Sequence, residues 1–105
     1  MKKKSFPLAV ILEATTGIAL IQDKYEGLSE LFSFMTGESK ENSRGIGLID
    51  LRFRCKPEIL RQYPKLASVK TRGLDRNNVK QWLAKQTARF GKTLKILPMP
   101  SCRTY

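Results

Sequence analysis

The sequence predicts a small single α+β domain, with three or four helices and two or three short strands. Three observations predict it. Apolar residues recur at helical spacing in 23–37 and again in 74–91. They alternate at strand spacing in 46–54 and in 92–100. The chain has 105 residues, 41% of them apolar, which suits one modest core. Residues 1–105 are therefore read as one domain, with 38–47 a mobile loop and 101–105 a frayed tail.

Each element has its own signals. "SFPLAVILEATTG" reads as a short helix: Ser5 as cap, Pro7 in the first turn, Gly17 as stop. Val10 and Ile11 are β-branched and leave a strand open for 8–12. "DKYEGLSELFSFMTG" is a clearer helix. Asp23 can cap it, Glu26 favours its N-terminal dipole, and Tyr25, Leu28, Leu31, Phe32 and Met35 form a stripe. Gly37 ends it. "ESKENSRGIG" is polar and reads as a loop, in which Gly45-Ile46-Gly47 is a turn and not a dinucleotide fingerprint.

"IGLIDLRFR" alternates, with Ile49, Leu51 and Phe53 on one face and Asp50, Arg52 and Arg54 on the other. That pattern predicts a half-buried strand. "KPEILRQYPKL" predicts a short helix stopped before Pro64. In "LDRNNVKQWLAKQTARFG", Asp75 is a natural N-cap, and Leu74 and Val79 are placed for a hydrophobic staple. Val79, Trp82, Leu83, Gln86 and Phe90 form the stripe, and Gly91 supplies the stop. Trp82 is assigned to the core; Trp82→Ala should cost ~3–5 kcal/mol if the ring is fully buried. "KTLKILPMP" predicts a short strand with Leu94 and Ile96 on one face, ended or confined to an edge by Pro98 and Pro100.

Charge is the strongest functional signal. Twenty Lys and Arg face nine Asp and Glu, a net charge of +11. Residues 1–37 hold four basic and four acidic residues, 38–70 hold eight and four, and 71–105 hold eight and one. A field of one sign over the C-terminal two thirds attracts a polyanion or an acidic protein surface, and it also aids solubility. The competing structural explanation is plain: a helix with one apolar stripe carries polar residues elsewhere, and Lys and Arg are good helix formers.

Several chemistries are excluded or disfavoured. The chain has no histidine, which removes Ser-His-Asp and Cys-His catalysis and the commonest metal ligand. Cys55 and Cys102 have no zinc spacing; the pair suits a reduced compartment, and a single bridge between them is left open. Arg54 and Lys56 beside Cys55 favour its thiolate, whereas a buried structural role is the commoner fate of such a residue. Glu26 and Glu30 lie one helical turn apart and read as exposed helix charges. No catalytic residues, cofactor or metal ligands are assigned, and the protein is read as non-enzymatic. "MKKKSFPLAVIL" has a basic start, but its apolar run meets Glu13 without a cleavage site, and nothing approaches the ~18 apolar residues of a membrane span. A cytoplasmic protein is expected.

Two basic groups remain as candidate partner contacts. Arg52 and Arg54 flank Phe53; Arg72, Arg76, Lys80, Lys85 and Arg89 lie on or near the last helix. Such groups hold phosphates by charge without reading bases. Tyr63 or Tyr105 could stack on a base, although Tyr63 beside Pro64 reads as partly packed. The helices at 56–63 and 75–90 are too far apart for the short turn of a helix-turn-helix.

The blocks "PLAVILEATTGIAL", "LSELFSFMTGE", "CKPEILRQYPKLASV" and "GLDRNNVKQWLAKQTARFGKTLKILPMP" together resemble a family of small bacteriophage and prophage proteins of unknown function. Its members show a Thr-Thr-Gly segment, a Met-Thr-Gly helix end, a Cys-x-Pro block and a Trp-Leu…Phe-Gly helix running into a Pro-rich strand. The likeness covers most of 7–100. The chain departs from the pattern at 38–54 and carries Tyr63 where His is common. It also lacks an acidic C-terminal tail. The resemblance implies a phage accessory protein that binds and inhibits a bacterial defence complex, such as a CRISPR effector, through its basic surface. A phage DNA- or RNA-binding or regulatory protein is the alternative, and a small virion-associated module the second alternative.

Overall fold

The computed structural model describes residues 3–18, 26–37 and 46–98, with the side chains of Ile46 and Gly47 outside that description. Along the chain run β1 (Lys4–Pro7), α1 (Leu8–Thr16), α2 (Glu26–Thr36), α3 (Ile46–Gln62), a short 3-10 turn (Pro64–Ser68), α4 (Val79–Phe90) and β2 (Thr93–Ile96). The described residues thus form an α+β domain of four helices and one antiparallel pair of strands.

Pro7 marks the junction of β1 and α1. It has φ −57° and ψ 141°, extended backbone that ends the strand and hands over to the helix. Ser5 therefore lies in β1, paired with Lys95, and caps nothing. The first amide of α1, Leu8 N–H, is satisfied from outside the helix by the Lys92 carbonyl at 2.8 Å. The two strands and the start of α1 are thereby tied together. Phe6 sits opposite Leu94. Its ring is buried and meets Phe34 at 5.6 Å between centroids.

α1 is buried on nearly all sides: Leu8, Val10, Ile11, Leu12, Glu13, Ala14 and Thr15 are all inaccessible. A helix buried on nearly every side, here mostly by apolar residues with Glu13 and Thr15 among them, lies in the middle of a fold. Gly17 closes it in the left-handed region at φ 80°. That glycine also faces Arg52, whose Nη2 would stand 2.8 Å from any Cβ added there. α2 follows its predicted stripe, burying Leu28, Leu31, Phe32 and Met35. Asp23 and Tyr25 lie outside the described residues. Gly37, at φ 78°, ends the helix as expected.

The largest departure is at 46–54. The predicted strand is the first half of a 17-residue helix that continues through Pro57 to Gln62. Short apolar alternation is compatible with either period, and packing against α1 and α2 decides for the helix. Leu51, Cys55 and Ile59 face the core at helical spacing. Ile49 and Phe53, predicted on the buried face, are 61% and 67% exposed. Ile46 and Gly47 belong to the first turn of α3, so the predicted loop is shorter at that end; 38–45 lie outside the described residues. The predicted stop before Pro64 holds, because Tyr63 leaves the helix and the 3-10 turn starts at Pro64.

The core joins α1, α2 and α3 with Phe6, Leu66 and Ile96. Trp82, Leu83 and Phe90 of α4 lie against its rim. Trp82, assigned to the core, packs against it half-buried, and its indole N–H donates to the Lys70 carbonyl at 2.9 Å. No helix of the described residues is long and apolar enough to cross a membrane.

Candidate functional site

The site with the clearest chemical character is the surface of α4 and the turn before it. Sequence and geometry agree on how it is held. The Asp75 carboxylate accepts from the backbone N–H groups of Asn77 at 2.7 Å and Asn78 at 3.1 Å. The Asn78 side-chain oxygen accepts in return from Asp75 N–H at 2.8 Å. This reciprocal arrangement is a capping box with Asn in place of Glu or Gln. Asp75 does not cap α4 directly, since the regular helix starts at Val79. It caps the turn that leads in, where Val79 N–H already donates to the Asp75 carbonyl at 3.1 Å. The Asn78 amide also donates to the Gly73 carbonyl at 2.8 Å, which fixes the approach from Arg72. Leu74 and Val79, the predicted staple, line one hollow together with Ile18.

α4 shows one face to the body. Gln86 is buried, and Val79, Trp82, Leu83, Thr87 and Phe90 are half-buried. Lys80, Gln81, Ala84, Lys85, Ala88 and Arg89 are exposed, as are Arg72 and Arg76 in the preceding turns. The sole acid of 71–98 is Asp75, and its carboxylate is engaged by backbone amides. Elsewhere Lys4 pairs with Glu30 at 3.1 Å and Arg61 pairs with Glu58, both remote in sequence from α4. The cations of α4 thus have no free carboxylate in their own stretch of chain. Arg89 touches its surroundings most. It reaches Ser68 Oγ at 3.3 Å and Gln86 Oε1 at 3.4 Å, and its guanidinium lies 4.9 Å from the Phe90 ring centroid. Lys92 and Lys95 are likewise exposed, and Lys95 lines a hollow with Lys3 and Arg61. A strand pattern at 92–100 draws attention to Leu94 and Ile96 and hides these two lysines from sequence reasoning.

Arg52 and Arg54 do not join this group as an alternating basic strand. They sit on α3, about 200° apart around its axis. Arg52 is half-buried, and its Nε donates to the Ala14 carbonyl at 3.1 Å, near the negative end of α1. Its first task is to tie α3 to α1. Arg54 is exposed.

The residues with catalytic potential lie apart. Cys55 is a buried thiol whose pKa is pushed up to about 12 by burial, against a smaller opposing pull from Arg54. Desolvation outweighs the neighbouring charge, so the thiolate that a nucleophile needs is suppressed. Cys102 lies outside the described residues. Glu30 is exposed and pairs with Lys4; Glu26 is exposed at the start of α2. Tyr63 is half-buried, and its hydroxyl donates to the Lys95 carbonyl at 2.6 Å, so it braces β2. Tyr105 lies outside the described residues. Among the described residues, no group of three or more Cys, Asp or Glu is placed to hold a metal ion. A hollow of about 300 Å³ between the end of α1 and the 3-10 turn is lined by Thr15, Thr16, Lys56, Leu60 and Val69 among others, with no acid–base pair.

No family model, no curated protein and no solved structure matches this chain.

Proposed function

We propose that the protein is a non-enzymatic binding module that engages a phosphate-bearing macromolecule through the basic surface of α4. The observation that carries this reading is the set of exposed cations at Arg72, Arg76, Lys80, Lys85 and Arg89, with the one nearby carboxylate in sequence already held by backbone amides. A rigid helix presenting Lys and Arg in this way gains affinity by releasing counterions from phosphates. The suppressed thiolate of Cys55 supports the same side of the argument, since the one described cysteine is unsuited to nucleophilic work.

The resemblance to small phage proteins directs the target toward a nucleic-acid-loaded defence complex in the bacterial cytoplasm, such as a CRISPR effector. A protein of this charge would block it by stoichiometric occupation and not by imitating DNA. Arg72 before α4 extends the contact surface; Arg54 is a separate exposed cation on α3, and Arg52 acts only by fixing α3.

The test is direct binding to labelled single- and double-stranded DNA and RNA across a salt series, beside titration into a purified RNA-guided nuclease. Binding that weakens as salt rises, and loss of nuclease activity near a one-to-one ratio, are the expected results. No binding to any nucleic acid at low salt, and no inhibition, would overturn the reading.

A further inference from the structure

The cations of α4 lie on two flanks. At about 100° per residue, Lys80 stands roughly 140° from Lys85 and 180° from Arg89 around the axis. Lys85 and Arg89 are four apart and share a side, while Arg76 is exposed in the turn that precedes the helix. The exposed strip between the flanks is neutral: Gln81, Ala84 and Ala88, with Asn77 in the turn before. The opposite side of the helix, at Trp82, Leu83, Gln86 and Phe90, faces the body. α4 thus turns half its circumference outward, with Lys80 on one flank, Lys85 and Arg89 on the other, and short or amide side chains at the crest.

We infer that α4 seats in the major groove of duplex DNA, with Lys80 on one phosphate strand and Lys85 and Arg89 on the other, and Arg76 reaching a phosphate from the turn before the helix. This rests on the phosphate-binding reading above and names its partner. An α-helix with its side chains is about 10–12 Å across, and the major groove is about 12 Å wide between two phosphate rows. Ala84 and Ala88 let the axis approach closely. Gln81 and Asn77 carry the amides that suit the hydrogen-bonding edge of adenine. A single-stranded ligand has one phosphate row and would use one flank. A-form RNA has a major groove too narrow to admit the helix. An acidic protein patch gives no reason for a neutral strip between two charged flanks.

The experiment measures anisotropy of a labelled DNA duplex, an RNA duplex of the same sequence and length, and the single DNA strand. It uses the full chain and four single variants: Lys80→Gln, Lys85→Gln, Ala84→Trp and Ala88→Trp. All four positions are exposed, and melting temperatures check that each variant folds. The DNA duplex is expected to bind at least ~10-fold more tightly than the RNA duplex. Each Lys→Gln change should reduce the slope of log K against log salt by ~1, one from each flank. Either Trp should weaken DNA binding by ~10-fold at unchanged charge, because it fills the strip that meets the groove floor. Salt-sensitive binding that is equal for all three ligands, indifferent to both Trp variants, or dependent on one flank alone would overturn the groove seating while leaving phosphate binding standing. Absence of binding to every nucleic acid would overturn both.

Discussion

Of the nine residues of α1, seven are buried and none is basic; of the twelve of α4, Gln86 alone is buried and three are Lys or Arg. Both helices carry β-branched or aromatic residues, and both end at a glycine with positive φ. Their difference is one of position. α1 touches α2, α3, α4 and both strands, so every side of it needs an apolar neighbour. α4 lies against the rim and needs only one face to hold it there, which leaves the rest of its surface to be chosen for another purpose. Cohesion and the proposed binding therefore fall on different residues, and each can be broken separately.

The core side breaks most easily. Phe32 is fully inaccessible, and Phe32→Ala should cost about 3–5 kcal/mol in urea unfolding. A loss below about 1 kcal/mol would mean that the ring has no dense surroundings to lose. Cys55 sharpens the same contrast by pH. Its pKa is raised from 9.0 to about 12 by burial. Below pH 9 the thiol is protonated in both folded and unfolded states, so its contribution is fully present. As pH rises from 9 toward about 12, the unfolded thiol ionises first, and stability is lost across that window. Mapped alkylation near pH 8 should label native Cys55 far more slowly than the unfolded chain, because burial suppresses the thiolate. Comparable labelling rates would contradict the burial.

On the α4 side the effects are smaller. Trp82 is half-buried with its indole N–H satisfied, so Trp82→Ala should cost about 2 kcal/mol, less than the value for a fully buried ring. Asp75→Ala removes the acceptor for two amides of the leading turn and should cost about 1 kcal/mol in the same unfolding assay. At the low end, Phe53→Ser on the exposed side of α3 should stay within about 0.5 kcal/mol of the parent. A large loss there would show that the exposed ring is packed against something and that α3 is misplaced.

α2 and α4 are legible in the sequence because their apolar residues repeat over three turns, which no strand can match. Gly17, Gly37 and Gly91 stand out as stops, and Pro64 as a boundary. The stretch 46–54 misleads because Ile49, Leu51 and Phe53 satisfy a two-residue period over too short a run. The helical stripe becomes visible only when Leu51 is counted with Cys55 and Ile59, across Pro57. Pro57 itself argues for a break, yet packing of α3 on α1 and α2 holds the helix through it. The candidate site is legible as charge: all five cations assigned on or near the last helix are exposed. The division of the helical ones between two flanks is not, because counting charges along a chain hides their angle around an axis. Arg52 escapes local reading for a different reason. Its partner is the Ala14 carbonyl, thirty-eight positions away, which no local pattern reveals.

The proposed division between a cohesive α1 and a binding α4 is tested most directly by the slope of log K against log salt for DNA binding, compared between the parent and the variant R76Q/K80Q/K85Q/R89Q. The slope should fall by about 3–4 in magnitude, roughly 0.9 for each phosphate left without its cation. An unchanged slope, or a parent that shows no salt-dependent binding, would contradict the division and leave the charge of α4 without the role assigned to it.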